Sequence, residues 1–148
     1  MLLSRSCEHA LRAIVCLASH PKGTFLLVKD VARLEQIPYH FLGKLFQQLV
    51  RAGLLESVKG RNGGFALAKP AGEITLLEVV SAVDGVEGLS RCLMGLPQCD
   101  DANPCPLHDR WKNIRVAVKA MMAEETLESL GRKGNLAGRR SAPRRRKI

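Results

Sequence analysis

The chain has 148 residues, 46% of them hydrophobic and 25% charged, which is the composition of a soluble globular protein with one compact core. No apolar stretch is long enough to span a bilayer, and charges interrupt the N-terminus before a signal-peptide core forms, so we expect a cytoplasmic protein with no membrane partner. The formal charge of +9 is unevenly spread, because the last eighteen residues hold eight Lys or Arg and no acid, which leaves +1 for residues 1–130.

The first two predicted helices are short and amphipathic. Residues 5–19 place apolar side chains at helical spacing, and Cys7 and Cys16 fall within that stripe, where we expect them to be small buried side chains. A second helix fits residues 29–36.

A third helix is predicted from Pro38, which suits a first helical turn, to Gly53. Two helices separated by a tight turn are the skeleton of a helix-turn-helix. Its expected buried stripe is Phe41, Leu42, Leu45 and Leu49.

The next segment predicts a hairpin followed by a helix. Strand-like residues 54–59 and 65–68 flank Gly-Arg-Asn-Gly-Gly at 60–64, which is strong turn chemistry. Thr75 and Glu78 have capping-box spacing and predict the start of a fourth helix. The fold class expected from these patterns is mainly α with a small β-hairpin.

A long loop, residues 85–105, holds three cysteines, and a histidine follows it. Cys92, Cys99, Cys105 and His108 lie within seventeen residues. In a reducing compartment such a group predicts a metal or redox site rather than disulfides. The four donors suit a soft metal, and tetrahedral zinc is one candidate.

The chain becomes helical again over residues 106–130. Its apolar residues are spaced alternately by four and three, which is typical of a helix that packs along another helix. We expect a homodimer interface here, and packing on the chain's own core is the alternative. The residues concerned are Leu107, Trp111, Ile114, Val118 and Met121.

Residues 131–148 are rich in Gly and Arg and nearly lack apolar side chains. They cannot bury enough surface to offset the entropy of ordering, so we predict a disordered tail. Its role is either a non-specific DNA-binding arm or a solubilising tail.

Three stretches together resemble one family of bacterial regulators: "SCEHALRAIVCLA", "VARLEQIPYHFLGKLFQQLVRAGLLESVKGRNGGFALAKP" and "CDDANPCPLH". They are similar to winged-helix iron–sulfur transcriptional regulators of the IscR and NsrR type. The resemblance implies a winged helix-turn-helix domain at 1–84, a cluster-binding loop at 85–105 and a dimerisation helix at 106–130. It also implies a homodimer in which the three loop cysteines hold an iron–sulfur cluster.

The cysteine spacing departs from that family pattern. Six residues separate Cys92 from Cys99 and five separate Cys99 from Cys105, whereas familiar members have five and five. This leaves the cluster type open. His108 as fourth ligand suits [2Fe–2S], which we favour slightly; Glu8 from the partner subunit is the alternative that the resemblance implies for [4Fe–4S]. A non-thiolate ligand is where oxidants, nitric oxide or loss of iron would act first.

The helix-turn-helix and hairpin predict contacts to double-stranded DNA. The third helix would enter the major groove, Arg61 would reach the adjacent minor groove, and Gly63 and Gly64 would let backbone approach the DNA closely. The full set of expected DNA-binding residues is Lys29, Tyr39, His40, Lys44, Arg51, Lys59, Arg61, Gly63 and Gly64.

The function predicted from these features is a DNA-binding transcriptional regulator controlled by an iron–sulfur cluster that senses redox state, nitric oxide or iron supply. The alternative is a zinc-stabilised nucleic-acid-binding module of the Cys3His type with no sensing role. A thiol redox enzyme has the least support, because the chain contains no Cys-x-x-Cys pair. We therefore expect no enzyme activity and no small-molecule substrate.

Overall fold

The computed structural model describes residues 2–133. Their fold is mainly helical with one two-stranded antiparallel hairpin, which confirms the predicted fold class. The elements are α1 (Arg5–Ala18), α2 (Val28–Glu35), α3 (Tyr39–Arg51), β1 (Leu55–Val58), β2 (Gly64–Leu67), α4 (Leu76–Asp84), α5 (His108–Glu124) and α6 (Leu127–Lys133), with 3-10 turns at Ala71–Glu73 and Glu87–Ser90.

The larger hydrophobic core lies between α1, α2, α3 and the hairpin. α1 begins where the Ser4 side chain accepts a hydrogen bond from the backbone N–H of Cys7, and Ile14 is fully buried on its inner face. The expected stripe of α3 is correct for Leu42, Leu45 and Leu49 and wrong for Phe41, which is exposed. Phe46 fills the core instead, with its ring 5.0 Å from that of Phe65.

A short extended segment at Leu26 pairs with the hairpin and holds it against the helices. β1 and β2 pair in antiparallel register, and Leu26 bridges Phe65 through two backbone hydrogen bonds of 2.8 and 2.9 Å. Gly64 sits at this crossing with φ of 128°, and a Cβ there would overlap the carbonyl oxygen of Leu26. The hairpin therefore depends on glycine at position 64.

α4 begins as its sequence predicts. The Thr75 hydroxyl accepts from the backbone N–H of Glu78, and the Glu78 carboxylate accepts from the backbone N–H of Thr75 at 2.8 Å. The backbone N–H of Thr75, with Lys69 adding to it, lowers the pKa of the Glu78 carboxyl. This capping box fixes the point at which the chain turns into α4.

The predicted continuous helix over 106–130 is wrong. Helix α5 ends at Glu124, and the chain forms a β-bridge between Thr126 and Thr75 before α6 begins at Leu127. The backbone N–H of Leu127 donates to the carbonyl of Ile74 at 2.9 Å, and the Leu127 side chain is fully buried in the core. The interruption thus returns the chain to the core formed by α1, α2, α3 and the hairpin.

The predicted tail overlaps α6. Its first three positions, 131–133, are helical, and the remaining residues, 134–148, lie outside the described part of the chain. The predicted loop 85–105 contains the 3-10 turn Glu87–Ser90. Within residues 2–133, no helix combines the length and apolar character needed to cross a membrane.

Candidate metal centre and nucleic-acid interface

The fold brings the three loop cysteines and His108 together at the N-terminus of α5. The Sγ atoms of Cys92 and Cys105 are 3.9 Å apart, and the Sγ of Cys99 lies 3.5 Å from Nδ1 of His108. Cys99 also contacts Cys92. The four residues predicted as ligands therefore lie near one another at this end of α5.

Cys92 lies in a turn whose backbone N–H groups surround its sulfur. The N–H of Leu96, with those of Met94 and Gly95, donates to the Cys92 sulfur and lowers its pKa against the opposing effect of burial. N–H donors of this kind stabilise a thiolate, which is the form that binds metals.

Cys99 has a cationic neighbour. The Nη2 of Arg115 donates to its sulfur at 3.3 Å. Burial raises the pKa of the Cys99 thiol, the Arg115 guanidinium acts in the opposite direction, and the sulfurs of Cys92 and Cys105 raise it further. A metal cation bound between the three sulfurs would attract each thiolate and so offset the repulsion among them.

His108 is 3% exposed and is oriented through both ring nitrogens. Its Nδ1 faces Cys99, and its Nε2 lies 2.9 Å from Oδ1 of Asp101. Lys112, one turn further along α5, donates to both carboxylate oxygens of Asp101 at 2.8 Å. Hydrogen bonds from Lys112 and then His108 lower the pKa of the Asp101 carboxyl.

Three thiols and an imidazole are donor types that suit a soft, tetrahedral metal. With metal–sulfur bonds of about 2.3 Å and metal–nitrogen bonds of about 2.0 Å, two ligands of one tetrahedral metal lie roughly 3.5–3.8 Å apart. The Cys92–Cys105 and Cys99–His108 separations, 3.9 and 3.5 Å, are of that size. Within residues 2–133, no three His, Cys, Asp or Glu side chains are already positioned around a single ion. The donors thus form two adjacent pairs.

The other cysteines and Glu8 lie on α1. Burial, followed by the nearby Asp84 carboxylate, raises the pKa of Cys7 to about 12, so this thiol is a buried apolar group as predicted. Cys16 is half-buried against the same core. Glu8 is exposed on the surface of α1.

α3 presents a polar face along its whole length. Its exposed residues line an open groove together with Val28 of α2 and Phe65 of the hairpin. We call this surface the α3 face and define it as Tyr39, His40, Lys44, Gln47 and Arg51.

Gln47 was missed by the sequence analysis, although its spacing from Lys44 and His40 on the helix places it on the same side. Its amide can make two hydrogen bonds to one adenine. The adjacent Gln48 also lines the groove but is half-buried, and its Nε2 donates to the carbonyl of Ala82 in α4 at 3.0 Å. The structure likewise supplies Asp101 and Arg115, which no sequence motif indicated.

The remaining predicted DNA contacts lie on α2 and on the hairpin. Lys29, Lys59 and Arg61 are exposed. Gly63 is buried, and a Cβ at that position would overlap the carbonyl oxygen of Val58. Gly63 and Gly64 therefore let backbone segments of the protein pack closely against one another. The sequence prediction was instead that these glycines let the backbone approach DNA.

The apolar stripe of α5 is divided between two environments. Trp111 and Val118 are half-buried, and Val118 packs against the small cluster that contains Cys7 and Met122. The residues seven apart on the adjoining side are exposed: Leu107 by 38%, Ile114 by 53% and Met121 by 47%.

A helix-turn-helix with a hairpin wing and an exposed polar face on its second helix defines a winged-helix DNA-binding protein. The chain belongs to the Rrf2 family of transcriptional regulators, described as iron-dependent, whose model matches residues 3–133. This confirms the family resemblance of the sequence. The relatives are regulators of transcription, so the protein is a DNA-binding regulator and not an enzyme.

Named relatives show the breadth of the family. IscR of Xenorhabdus nematophila is 30% identical over 130 residues, which cover 88% of this chain and 79% of that protein. The structure of CymR, the global cysteine regulator of B. subtilis, has a TM-score of 0.77 and 25% identity and covers 90% of this chain and 98% of its own. The T. potens IscR structure has a TM-score of 0.71 and 18% identity, with coverage of 95% and 91%, which supports the fold.

Proposed function

We propose that the protein is a homodimeric transcriptional regulator whose binding to its operator is controlled by an iron–sulfur cluster at Cys92, Cys99, Cys105 and His108. The observation that supports this is the convergence of three thiols and one imidazole at the start of α5. When bound, the cluster would supply a group whose chemical state changes on oxidation, on reaction with nitric oxide or on loss of iron. The chain's own residues would hold the cluster and transmit a change in its state to the DNA-binding residues.

His108 is the favoured fourth ligand, and a [2Fe–2S] cluster is the favoured type. Its imidazole faces Cys99 within the same chain, so ligation requires no residue from another subunit. Glu8 would have to approach from the partner subunit and is the alternative for [4Fe–4S]. Comparison of His108→Ala with Glu8→Ala tests the choice: a larger spectral change for His108→Ala supports the two-iron cluster, and the reverse order contradicts it.

Zinc is the second candidate, because the same donors and the same separations suit a tetrahedral Cys3His site. Such a site would stabilise the loop and carry no signal. Anaerobic purification followed by analysis of iron, sulfide and zinc separates the two. Brown protein that contains iron and sulfide supports the regulator with a cluster, whereas colourless protein that contains one zinc per chain contradicts it.

Single changes of Cys92, Cys99 or Cys105 to Ser test the site itself. We expect each to remove the visible absorbance and leave the helical circular dichroism intact. Cys16→Ala is the matched control, because it removes a thiol from α1 and leaves the three loop thiols in place. A variant that carries all three changes is also needed. If it retains iron and the visible spectrum of wild type, the cofactor is bound elsewhere.

The connection from this site to DNA runs along α5. The helix begins at His108 and ends where the carbonyl of Glu125 accepts from the backbone N–H of Leu76, the first residue of α4, at 2.8 Å. A change in the loop therefore acts on an element that is bonded to the DNA-binding domain at its other end. Operator titrations with loaded and metal-free protein test this connection, and equal affinities would contradict cluster control.

DNA contacts are assigned to the α3 face, to Lys29 and to the hairpin residues Lys59 and Arg61. We expect Arg61→Ala to cost about 1–3 kcal/mol on the operator and much less on random DNA. Deletion of residues 134–148 should instead weaken binding to both DNAs similarly and reduce the salt dependence, since each neutralised phosphate contributes about 0.9 to the slope. If the deletion abolishes sequence preference and Arg61→Ala leaves it intact, specificity lies in the tail and not in Arg61.

A further inference from the structure

We infer that Asp101 is a positioning residue for His108: it holds the imidazole with Nδ1 toward the thiols and Nε2–H toward itself, so that Nδ1 is the ligand atom. This inference deepens the proposed function and rests on it. Nothing in the family match assigns a role to Asp101.

The first step is the confinement of the ring. The His108 side chain is 4% exposed, with its two nitrogens aimed at different groups, Cys99 on one side and Asp101 on the other. A ring so enclosed has few orientations available. Its environment therefore decides which nitrogen meets a metal.

The second step is the chemistry of the Asp101 contact. A carboxylate accepts hydrogen bonds and donates none, so a ring nitrogen 2.9 Å from it must carry the proton. In a neutral imidazole the other nitrogen then has a free lone pair. That nitrogen is Nδ1, which is 3.5 Å from the Cys99 sulfur. A carboxylate behind a histidine ligand generally fixes its tautomer in this way and raises its basicity.

The third step is what holds Asp101. Lys112 donates to both of its oxygens, and Asp100 accepts from the backbone N–H groups of Ala102 and Asn103 at 3.0 and 2.8 Å, which shapes the turn around it. The Asp101 and Lys112 side chains are 72% and 46% exposed, so their ion pair adds little to stability. Its effect is to restrict where the carboxylate lies.

Metal-free protein provides the first test. Under conditions in which the imidazole is neutral, nitrogen-15 NMR of His108 in wild-type protein should show one tautomer, protonated at Nε2. Asp101→Ala should give a mixture of tautomers, and Asp101→Glu should restore much of the wild-type pattern. Asp109→Asn is the control, since it removes a carboxylate next to His108 in sequence without removing this contact.

Loaded protein provides the second test. Outer-shell partners of metal ligands typically change metal affinity by about 10–100-fold. We expect Asp101→Ala to release iron to a chelator faster than wild type by a factor of that order, with Lys112→Ala intermediate and Asp109→Asn unchanged. Pulsed EPR of the reduced cluster should show an altered nitrogen coupling in Asp101→Ala.

The two tests separate this inference from the proposed function. If Asp101→Ala matches Asp109→Asn in tautomer and in iron release, Asp101 has no positioning role and the inference is wrong. If the tautomer changes but wild-type protein holds no iron in any preparation, Asp101 does position His108 and the proposed cluster is wrong.

Discussion

The indole N–H of Trp111 donates a hydrogen bond of 2.8 Å to the carbonyl oxygen of Arg91. Arg91 immediately precedes Cys92, and Trp111 lies one turn into α5, so this bond joins the two ends of the cysteine loop. The loop has little regular structure of its own, so a hydrogen bond between its ends helps to fix its path. Trp111 thus has a role in the site that its place in an apolar stripe did not predict.

Trp111→Phe should loosen the loop without unfolding the protein. The change keeps an aromatic ring and removes the N–H, so the cost in unfolding free energy should be about 0.5–1.5 kcal/mol. Cofactor release should become faster, as measured by the decay of visible absorbance. Asn113→Ala, at an exposed position on the same helix, is the control. Equal rates of cofactor release in the two variants would show that the Trp111 hydrogen bond does not stabilise the site.

Gly64→Ala should destabilise the wing. The new Cβ would meet the Leu26 carbonyl, and the backbone has φ of 128°, so we expect a loss of more than about 1 kcal/mol of unfolding free energy. Gly43→Ala should act in the opposite direction by about 0.5–1 kcal/mol, because this glycine is inside α3 with free space around it. Thermal unfolding measures both, and the same sign for both would contradict the explanation.

Glu78→Gln should lower stability in a pH-dependent way. The folded protein lowers the pKa of this carboxyl below the ordinary value of 4.5, so its contribution is present above pH 4.5 and is lost as the pH falls through the folded-state pKa. The difference in unfolding free energy between wild type and Glu78→Gln should therefore shrink in acid. Glu56→Gln, at an exposed position of β1, is the control. A difference independent of pH would show that the charge is not the cause.

Gln47→Ala and Gln48→Ala should affect different properties, DNA discrimination and stability respectively. Gln47 is exposed on the α3 face, so its loss should reduce discrimination between operator and random DNA by about 1–3 kcal/mol and leave stability unchanged. Gln48 bonds to α4, so its loss should lower the melting temperature. DNA titration and thermal unfolding of both variants measure these effects; unchanged discrimination in Gln47→Ala would remove that residue from the interface.

Ile114→Glu should dissociate the proposed dimer. Ile114 is the middle of three exposed apolar residues spaced by seven, from Leu107 immediately before α5 to Met121 within it, and a charge there would be buried on association. Val116→Glu is the matched control, because Val116 is 62% exposed on the opposite side of the same helix. Sedimentation analysis should show a monomer for Ile114→Glu alone, and dissociation by both or by neither would place the interface elsewhere.

Much of the fold and the grouping of the candidate ligands follow from local sequence. The Thr75–Glu78 capping box, the Gly-rich turn and the helical spacing of α1 act through residues at most four apart, so their patterns were sufficient. Grouping of the three loop cysteines with His108 was also predictable, because few structures other than a metal site need such donors so close in sequence.

Interactions between distant residues had to come from the tertiary structure. The end of α5 depends on the bridge from Thr126 to Thr75, and the need for glycine at position 64 depends on the carbonyl of Leu26. Gln47 and Gln48 are identical neighbours in sequence, yet one lies on the α3 face and the other bonds to α4. Local spacing determines which side of a helix a residue occupies, but only the packing of other elements determines what that side meets.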